Sequence, residues 1–276
     1  MILLNKKTMT LQHIAHLHKM KTQLTSETVE YRLKTDGEML LLNELISKPI
    51  AIRFTGQINC KRCGRWTKKS FAQGFCYPCF AKAPENSPCI IKPELCEAHL
   101  GKGRDAAWEK EHHLQKHIVY LAVSSGLKVG VTRHEQVPTR WIDQGASKAI
   151  RLATVPYRQL AGKIEVALKK HVSDRTNWQR MLKNMIATDI DLVEKKQEMK
   201  ALLSEELQAY IAENNDITTI NYPVIDYPKK VKSLSFDKIE EATGTLLGIK
   251  GQYLIFDGGR VLNIRKHAGY LVEWRF

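Results

Sequence analysis

"HIVYLAVSSGLKVGVTR" occupies residues 117–133, and how it is read decides the centre of the fold. Apolar residues alternate with others on both sides of Ser124, Ser125 and Gly126, which is the pattern of two short strands in a hairpin. Tyr120, Lys128 and Arg133 add hydroxyl and basic groups that a sheet does not need. The same stretch is therefore a candidate floor for an active site.

Downstream of the hairpin, "PTRWIDQGASKAI" (138–150) and "YRQLAGKIEVALKKHV" (157–172) place apolar residues at three- and four-residue steps and predict helices, with Pro138 in a first turn. "TNWQRMLKNMI" (176–186) predicts another helix. "DIDLVEKKQEMKALLSEELQAYIAEN" (189–214), with Glu and Lys four apart, predicts one long helix that acts as scaffold. After the Pro-marked "NYPVIDYPKK" (221–230) the tail is β-rich, with Asp257 to Gly259 as a hairpin turn. Upstream, residues 29–58 read as three strands with a turn at Asp36 and Gly37, "APENSP" (83–88) marks a boundary and "GKGRD" (101–105) a flexible basic loop. "IAIRFTGQI" (50–58) and "LLGIKGQYLIF" (246–256) share a pattern, so the N- and C-terminal strands are expected to pair into one small barrel or sheet.

The fold class expected is α+β. The segments are a lead-in (1–22), an N-terminal β segment (23–59), a cysteine-rich, zinc-ribbon-like module (60–104), an α/β centre (105–186), a long helix (187–222) and a C-terminal β segment (223–276). The lead-in is basic and His-dotted, its apolar residues have no clear partner, and a start at Met9 or later suits it.

With 276 residues and 43% hydrophobic content, the chain can bury a sizeable core, and disorder is a poor account of it. Its 43 Lys and Arg against 29 Asp and Glu give a net charge of +14, which favours a polyanionic partner, DNA or RNA before an anionic membrane surface. Simple solubility is the plainer account. No stretch approaches the roughly 18 apolar residues of a membrane span, and the first apolar block is too short for a signal peptide. A cytoplasmic protein without a membrane partner is expected.

All six cysteines lie between Cys60 and Cys96. Cys60 and Cys63, then Cys76 and Cys79, form two CxxC pairs, and each such turn puts two thiolates on one side of a tight knuckle. Gly64 suits the sharp turn after the second thiolate, and the spacing suits a hairpin closing a four-cysteine structural zinc site. A redox dithiol, an iron–sulfur cluster or disulfides are the alternatives. Cys89, Cys96 and His99 make a partial second zinc set that needs a fourth ligand, with His112, His113 and His117 close downstream as donors. A buried free thiol with surface histidines would look the same.

Tyr120 on a first strand, Lys128 to Gly130 on a second, Arg140 on a helix and Glu165 on a later helix follow an order that resembles the GIY-YIG nuclease superfamily. There a hairpin bearing two short motifs precedes a helix with an arginine and a helix with a metal-binding glutamate. "IVY" stands for the first motif and "KVG" for the second, and the resemblance covers roughly residues 117–185. Lys128 departs from it, since most nucleases of the superfamily have tyrosine there. The whole chain also looks like a bacterial family of unknown function that contains such a centre.

The resemblance implies metal-dependent phosphodiester hydrolysis. Tyr120 would orient or activate water, Lys128 would add a donor or point charge, Arg140 would hold phosphate oxygens, and Glu165 would hold Mg²⁺ or Mn²⁺. Ala161 and Gly162, one turn before Glu165, would leave room for a hydrated ion and a phosphate. Arg133, Lys148, Arg151 and Arg158 would contact phosphates, and Trp141 would stack on bases. Each residue also has an ordinary account as a strand tyrosine, a surface cation or a solvated helix charge. Two other functions fit the same residues: a non-catalytic, zinc-containing nucleic-acid-binding protein, and a zinc-stapled protein-interaction scaffold.

Overall fold

The structure, a computed structural model, describes residues 11–35, 37–173 and 175–276. Met9 and Asp36, named above as a start and a turn residue, lie outside the described residues. The fold is α+β, and its three sheets are open, with none closed into a barrel.

In chain order, β1 (Leu11–His16) precedes a meander of β2 (Lys21–Leu24), β3 (Val29–Lys34) and β4 (Met39–Leu41), and β5 (Pro49–Ile58) is the first long strand. Helices α1 (Tyr77–Lys82) and α2 (Ala106–His113) lead to the hairpin β6 (His117–Val123) and β7 (Leu127–Arg133). Then come α3 (Thr139–Asp143), β8 (Lys148–Val155), α4 (Arg158–Leu168), α5 (Trp178–Leu182), α6 (Leu192–Ala201), α7 (Glu205–Gln208) and β9 (Ile217–Thr219). The chain finishes with β10 (Lys232–Leu234), β11 (Glu241–Lys250), β12 (Tyr253–Phe256), β13 (Arg260–Asn263) and β14 (Tyr270–Arg275). Two compact units result. One runs to Phe80 and resumes over Tyr222–Phe276, and the other is Ala81–Asn221.

In the first unit the terminal segments pair as a sheet of order β1-β14-β5-β11-β12-β13-β10, not as a barrel. Its register places Ile52 beside Trp274 on one side and Ala242 on the other, and all three are buried. The expected lead-in is not free of partners. From Leu11 onward it is strand β1 against β14, followed by the buried Leu17 and Met20. Its partner lies at the opposite end of the sequence, where local pattern cannot reveal it.

In the second unit the sheet order is β7-β6-β8-β9. All seven residues of β6 are buried, as a strand flanked on both edges and covered on both faces requires. Val119, Leu121 and Val123 pack with Val129 of β7, Ile150 and Leu152 of β8, Leu160, Ala161, Ile164 and Leu168 of α4, and Leu192 and Met199 of α6. On the opposite face the Tyr120 ring meets the buried Trp141 edge-on, with ring centroids 6.0 Å apart.

Two predicted helices are revised. The 138–150 helix ends at Asp143, Gly145 adopts φ 68°, and Lys148–Val155 becomes a strand against β6. The predicted long helix breaks after α6, where Ser204 takes an extended conformation (ψ 155°), and it resumes as the short α7 before the edge strand β9.

Tyr120 is paired directly with Gly130 across the hairpin. A Cβ on Gly130 would sit 2.5 Å from the Tyr120 hydroxyl and 2.7 Å from its Cζ, so only glycine admits the ring. Gly130→Ala is therefore expected to destabilise the protein by about 1–3 kcal/mol, read as a lower urea midpoint at unchanged slope. An unchanged midpoint would show that the ring does not need this space.

Candidate functional site

The first cluster is Cys60, Cys63, Cys76 and Cys79, whose sulfur atoms all lie within 4.8 Å of one another. Local backbone sets this up. Gly64 adopts φ 71° and donates its N–H to the Cys60 carbonyl at 2.8 Å, closing the first knuckle, and Phe80 N–H to the Cys76 carbonyl at 2.9 Å closes the second. The Cys63 and Cys76 sulfurs are 3.8 Å apart, far beyond a disulfide bond. A tetrahedron with ~2.3 Å zinc–sulfur bonds has edges of about 3.8 Å, so the donor set and its spacing fit a metal such as zinc. Burial disfavours the Cys60 thiolate, but the N–H groups of Cys63, Cys76 and Arg62 around its sulfur outweigh it and bring the thiol down to about 6. Burial, with hydrogen bonding among the sulfurs, pushes Cys79 up to about 12.

The second cluster differs from the expected set. Cys89 and Cys96 meet Glu109 and His113, with all four ligand atoms within 4.8 Å and all four residues buried. His99 is not among them. It stacks on Tyr157 at a centroid distance of 4.8 Å. Glu109 and His113 sit one turn apart on α2 and point the same way, in contact through Oε2 and Nδ1. His113 Nδ1 is 3.5 Å from the Cys96 sulfur and 3.9 Å from that of Cys89. The hydrogen bond from Cys89 lowers the Cys96 thiol, and the same contact raises Cys89. His112 and His117 are bound elsewhere, through Nδ1 to the carbonyls of Trp108 (2.9 Å) and Gln115 (2.7 Å). Glu109 was missed in the sequence. Its four-residue spacing from His113 is a signal that could have found it, once both are known to lie on one helix.

The third group surrounds Tyr120. Its hydroxyl donates to Gln144 Oε1 at 2.6 Å. Burial raises its pKa, while the charge and hydrogen bond of Arg140 oppose that rise and Glu165 adds to it. Tyr120, Arg140 and Glu165 thus share one electrostatic neighbourhood, although a strand and two helices supply them. Lys128 pairs with Ala122, two positions from the Tyr120–Gly130 pair and on the same face, and its ammonium lies 3.5 Å from Thr176 Oγ1. Both Tyr120 (0% exposed) and Lys128 (3%) are enclosed. The room expected beside Glu165 is filled, because a Cβ on Gly162 would lie 2.1 Å from the Glu94 nitrogen, and Ala161 is in the core.

Among the proposed phosphate contacts, Arg133 pairs with Glu135 at 3.2 Å, Lys148 donates to the Ile190 carbonyl, and Arg151 sits on β8 opposite Tyr120. Arg158 turns inward, donating Nε to the Cys89 carbonyl and Nη2 to that of Ile90, each at 3.0 Å. Trp141 is a core ring. Among the described residues no helix is long and apolar enough to cross a membrane.

Cys63→Ser is expected to release about one zinc ion per chain and to remove amide-exchange protection around residues 58–80, because few aliphatic side chains replace the metal there. The β6–β8 sheet, with its own apolar core, keeps its protection. Undiminished zinc in this variant would remove the site.

Neither the curated proteins nor the solved structures yield a match to this chain. A family match does exist, and it spans most of the sequence, both cysteine clusters and the Tyr120 group included: over residues 47–272 the chain belongs to the family described as "Protein of unknown function (DUF2797)".

Proposed function

We infer that the protein binds nucleic acid and that its Ala81–Asn221 unit holds a phosphodiester-cleaving site of the GIY-YIG type. The observation that carries this reading is the convergence of Tyr120, Arg140 and Glu165, with Tyr120 seated over Gly130. Arg140 has the planar fork that suits a non-bridging phosphate oxygen, and Tyr120, held between Arg140 and Gln144, can orient a hydroxyl or water beside it. Among the described residues no group of three or more metal ligands includes Glu165. A Mg²⁺ or Mn²⁺ ion on this one carboxylate would complete its shell with water and phosphate oxygens, as Mg²⁺ commonly does. Bound there, the ion would offset charge on the phosphate.

Binding to polyanions has separate support in the first unit. Residues 60–80 carry five Lys and Arg and no Asp or Glu. Trp66 (55% exposed) and Tyr77 (63%) stand out from the same segment, so cations and open π faces occur together. A second reading, binding without cleavage, is favoured by the enclosure of Tyr120 and Lys128.

Glu165→Gln keeps the shape of the side chain and removes the charge that holds the cation. Cleavage of DNA or RNA with Mg²⁺ or Mn²⁺ should fall at least about a hundredfold while affinity stays level or rises. Arg140→Ala should lose cleavage together with some affinity. Wild-type protein that binds and cuts nothing establishes the second reading. Binding should also weaken by orders of magnitude as salt rises roughly tenfold, and Trp66→Ala should cost a single strand about 1–3 kcal/mol. Affinity indifferent to salt would overturn both readings in favour of a protein-binding scaffold.

A further inference from the structure

We propose that Cys89, Cys96, Glu109 and His113 bind a second zinc ion, and that this ion fixes the loop against which α4 is seated. The proposal is independent of whether the Tyr120 group cleaves anything.

The ligand set is built, not incidental. Cys89 sits in a tight turn over Pro88–Ile90, and Cys96 directly follows another over Pro93–Leu95. Both are brought to the face of α2 that presents Glu109 and His113. Asp105 caps that helix by accepting from Trp108 N–H at 3.0 Å, and the Trp108 ring stands edge-on to the His113 ring at 5.0 Å, which holds the imidazole in place. With zinc–sulfur bonds of ~2.3 Å and zinc–nitrogen bonds of ~2.0–2.1 Å, a tetrahedral sulfur–nitrogen edge is about 3.6 Å. The observed edges of 3.5 and 3.9 Å bracket it.

The buried polar atoms make the same demand. Glu109 is 3% exposed and its Oε1 has no hydrogen-bond partner, a costly state for a carboxylate in a protein interior. A divalent cation gives that oxygen a partner, and both thiol protons leave to solvent as it binds. Two thiolates and a carboxylate exceed the cation by one negative charge, and the Arg158 guanidinium, which lies in electrostatic range of both sulfurs, offsets it. Two soft thiolates with an imidazole and a carboxylate select zinc over Mg²⁺ or Ca²⁺.

The link to α4 is direct. Arg158, at the start of that helix, holds the carbonyls of Cys89 and Ile90. One turn on, Gly162 lets the Pro93–Glu94 backbone approach to where a side chain would stand. The loop between the two cysteine ligands is thus bound to α4 at two points, and the metal sets the loop's shape. Glu165 rides on the same helix.

Zinc content and amide exchange of the full-length protein test this together. Wild type should hold about two zinc ions per chain and Cys96→Ser about one. Cys96→Ser should lose exchange protection over residues 158–168, whereas Cys63→Ser, which empties the other site, should keep it. Glu109→Gln, which retains the shape of the core, should surrender one zinc to a chelator at least about tenfold more readily than wild type, which keeps the test decisive if Cys96→Ser does not fold. A wild type with a single zinc that Cys63→Ser removes overturns the site, as does a Glu109→Gln protein with wild-type retention. Zinc loss in Cys96→Ser with α4 protection intact overturns the coupling to the helix.

Discussion

The Tyr120 ring crosses its neighbouring strand at Gly130, and the arrangement of the Ala81–Asn221 unit depends on that crossing. With any side chain at position 130, the ring would have to shift, disturbing the hydroxyl held by Gln144 and Arg140 and the edge contact with Trp141. The opposite face of the same strands is continuous hydrocarbon against α4 and α6. One strand thus serves two purposes by the alternation of its side chains: Val119, Leu121 and Val123 supply core on one face, and Tyr120 supplies the polar group on the other.

That division explains what was legible in the sequence. The hairpin, α4 and the two CxxC knuckles depend on contacts a few residues apart, so period and spacing revealed them. Lys148–Val155 was not legible. "SKAI" continues a helical spacing from "TRWI", and only Gly145 and the pairing with β6 convert it to a strand. β1 and the break at Ser204 were lost for the same reason, since the partner or the competing contact lies far along the chain.

The two cysteine clusters show this contrast at the level of single residues. The four-cysteine site is closed by ligands whose mutual geometry is set by their own turns, so counting spacing sufficed. In the second cluster the nearby histidines included the right one, His113, but not in the named set: His99 follows Cys96 most closely yet stacks on Tyr157, while α2 projects Glu109 and His113 from one face onto the sulfurs. The place of Glu109 in this cluster is legible only once the helix phase is known. Gly162 carries a similar lesson. Read alone, a small residue beside Glu165 suggests space for a ligand, but the space is taken by the backbone of the cysteine loop.

The charge around Glu165 limits how the central site can work. Arg158 lies in electrostatic range of both Arg140 and Glu165, Asp143 joins Glu165 in acting on Tyr120, and Lys128 lies on the Tyr120 face. An ammonium at position 128 donates hydrogen bonds and holds an anion, but in its charged form it cannot take a proton from water, which is what a phenolate in the same place could do. Burial holds the Tyr120 phenol in its neutral form, with Arg140 acting against that. Under the proposed function, these cations are the part of the group that would attract phosphate. On that reading, a divalent cation approaching Glu165 would meet the opposing field of Arg140, and a phosphodiester bound first would offset that field. Under the proposed function, metal and nucleic acid would therefore bind here with positive coupling, each raising the affinity of the other by the same factor, as linkage requires.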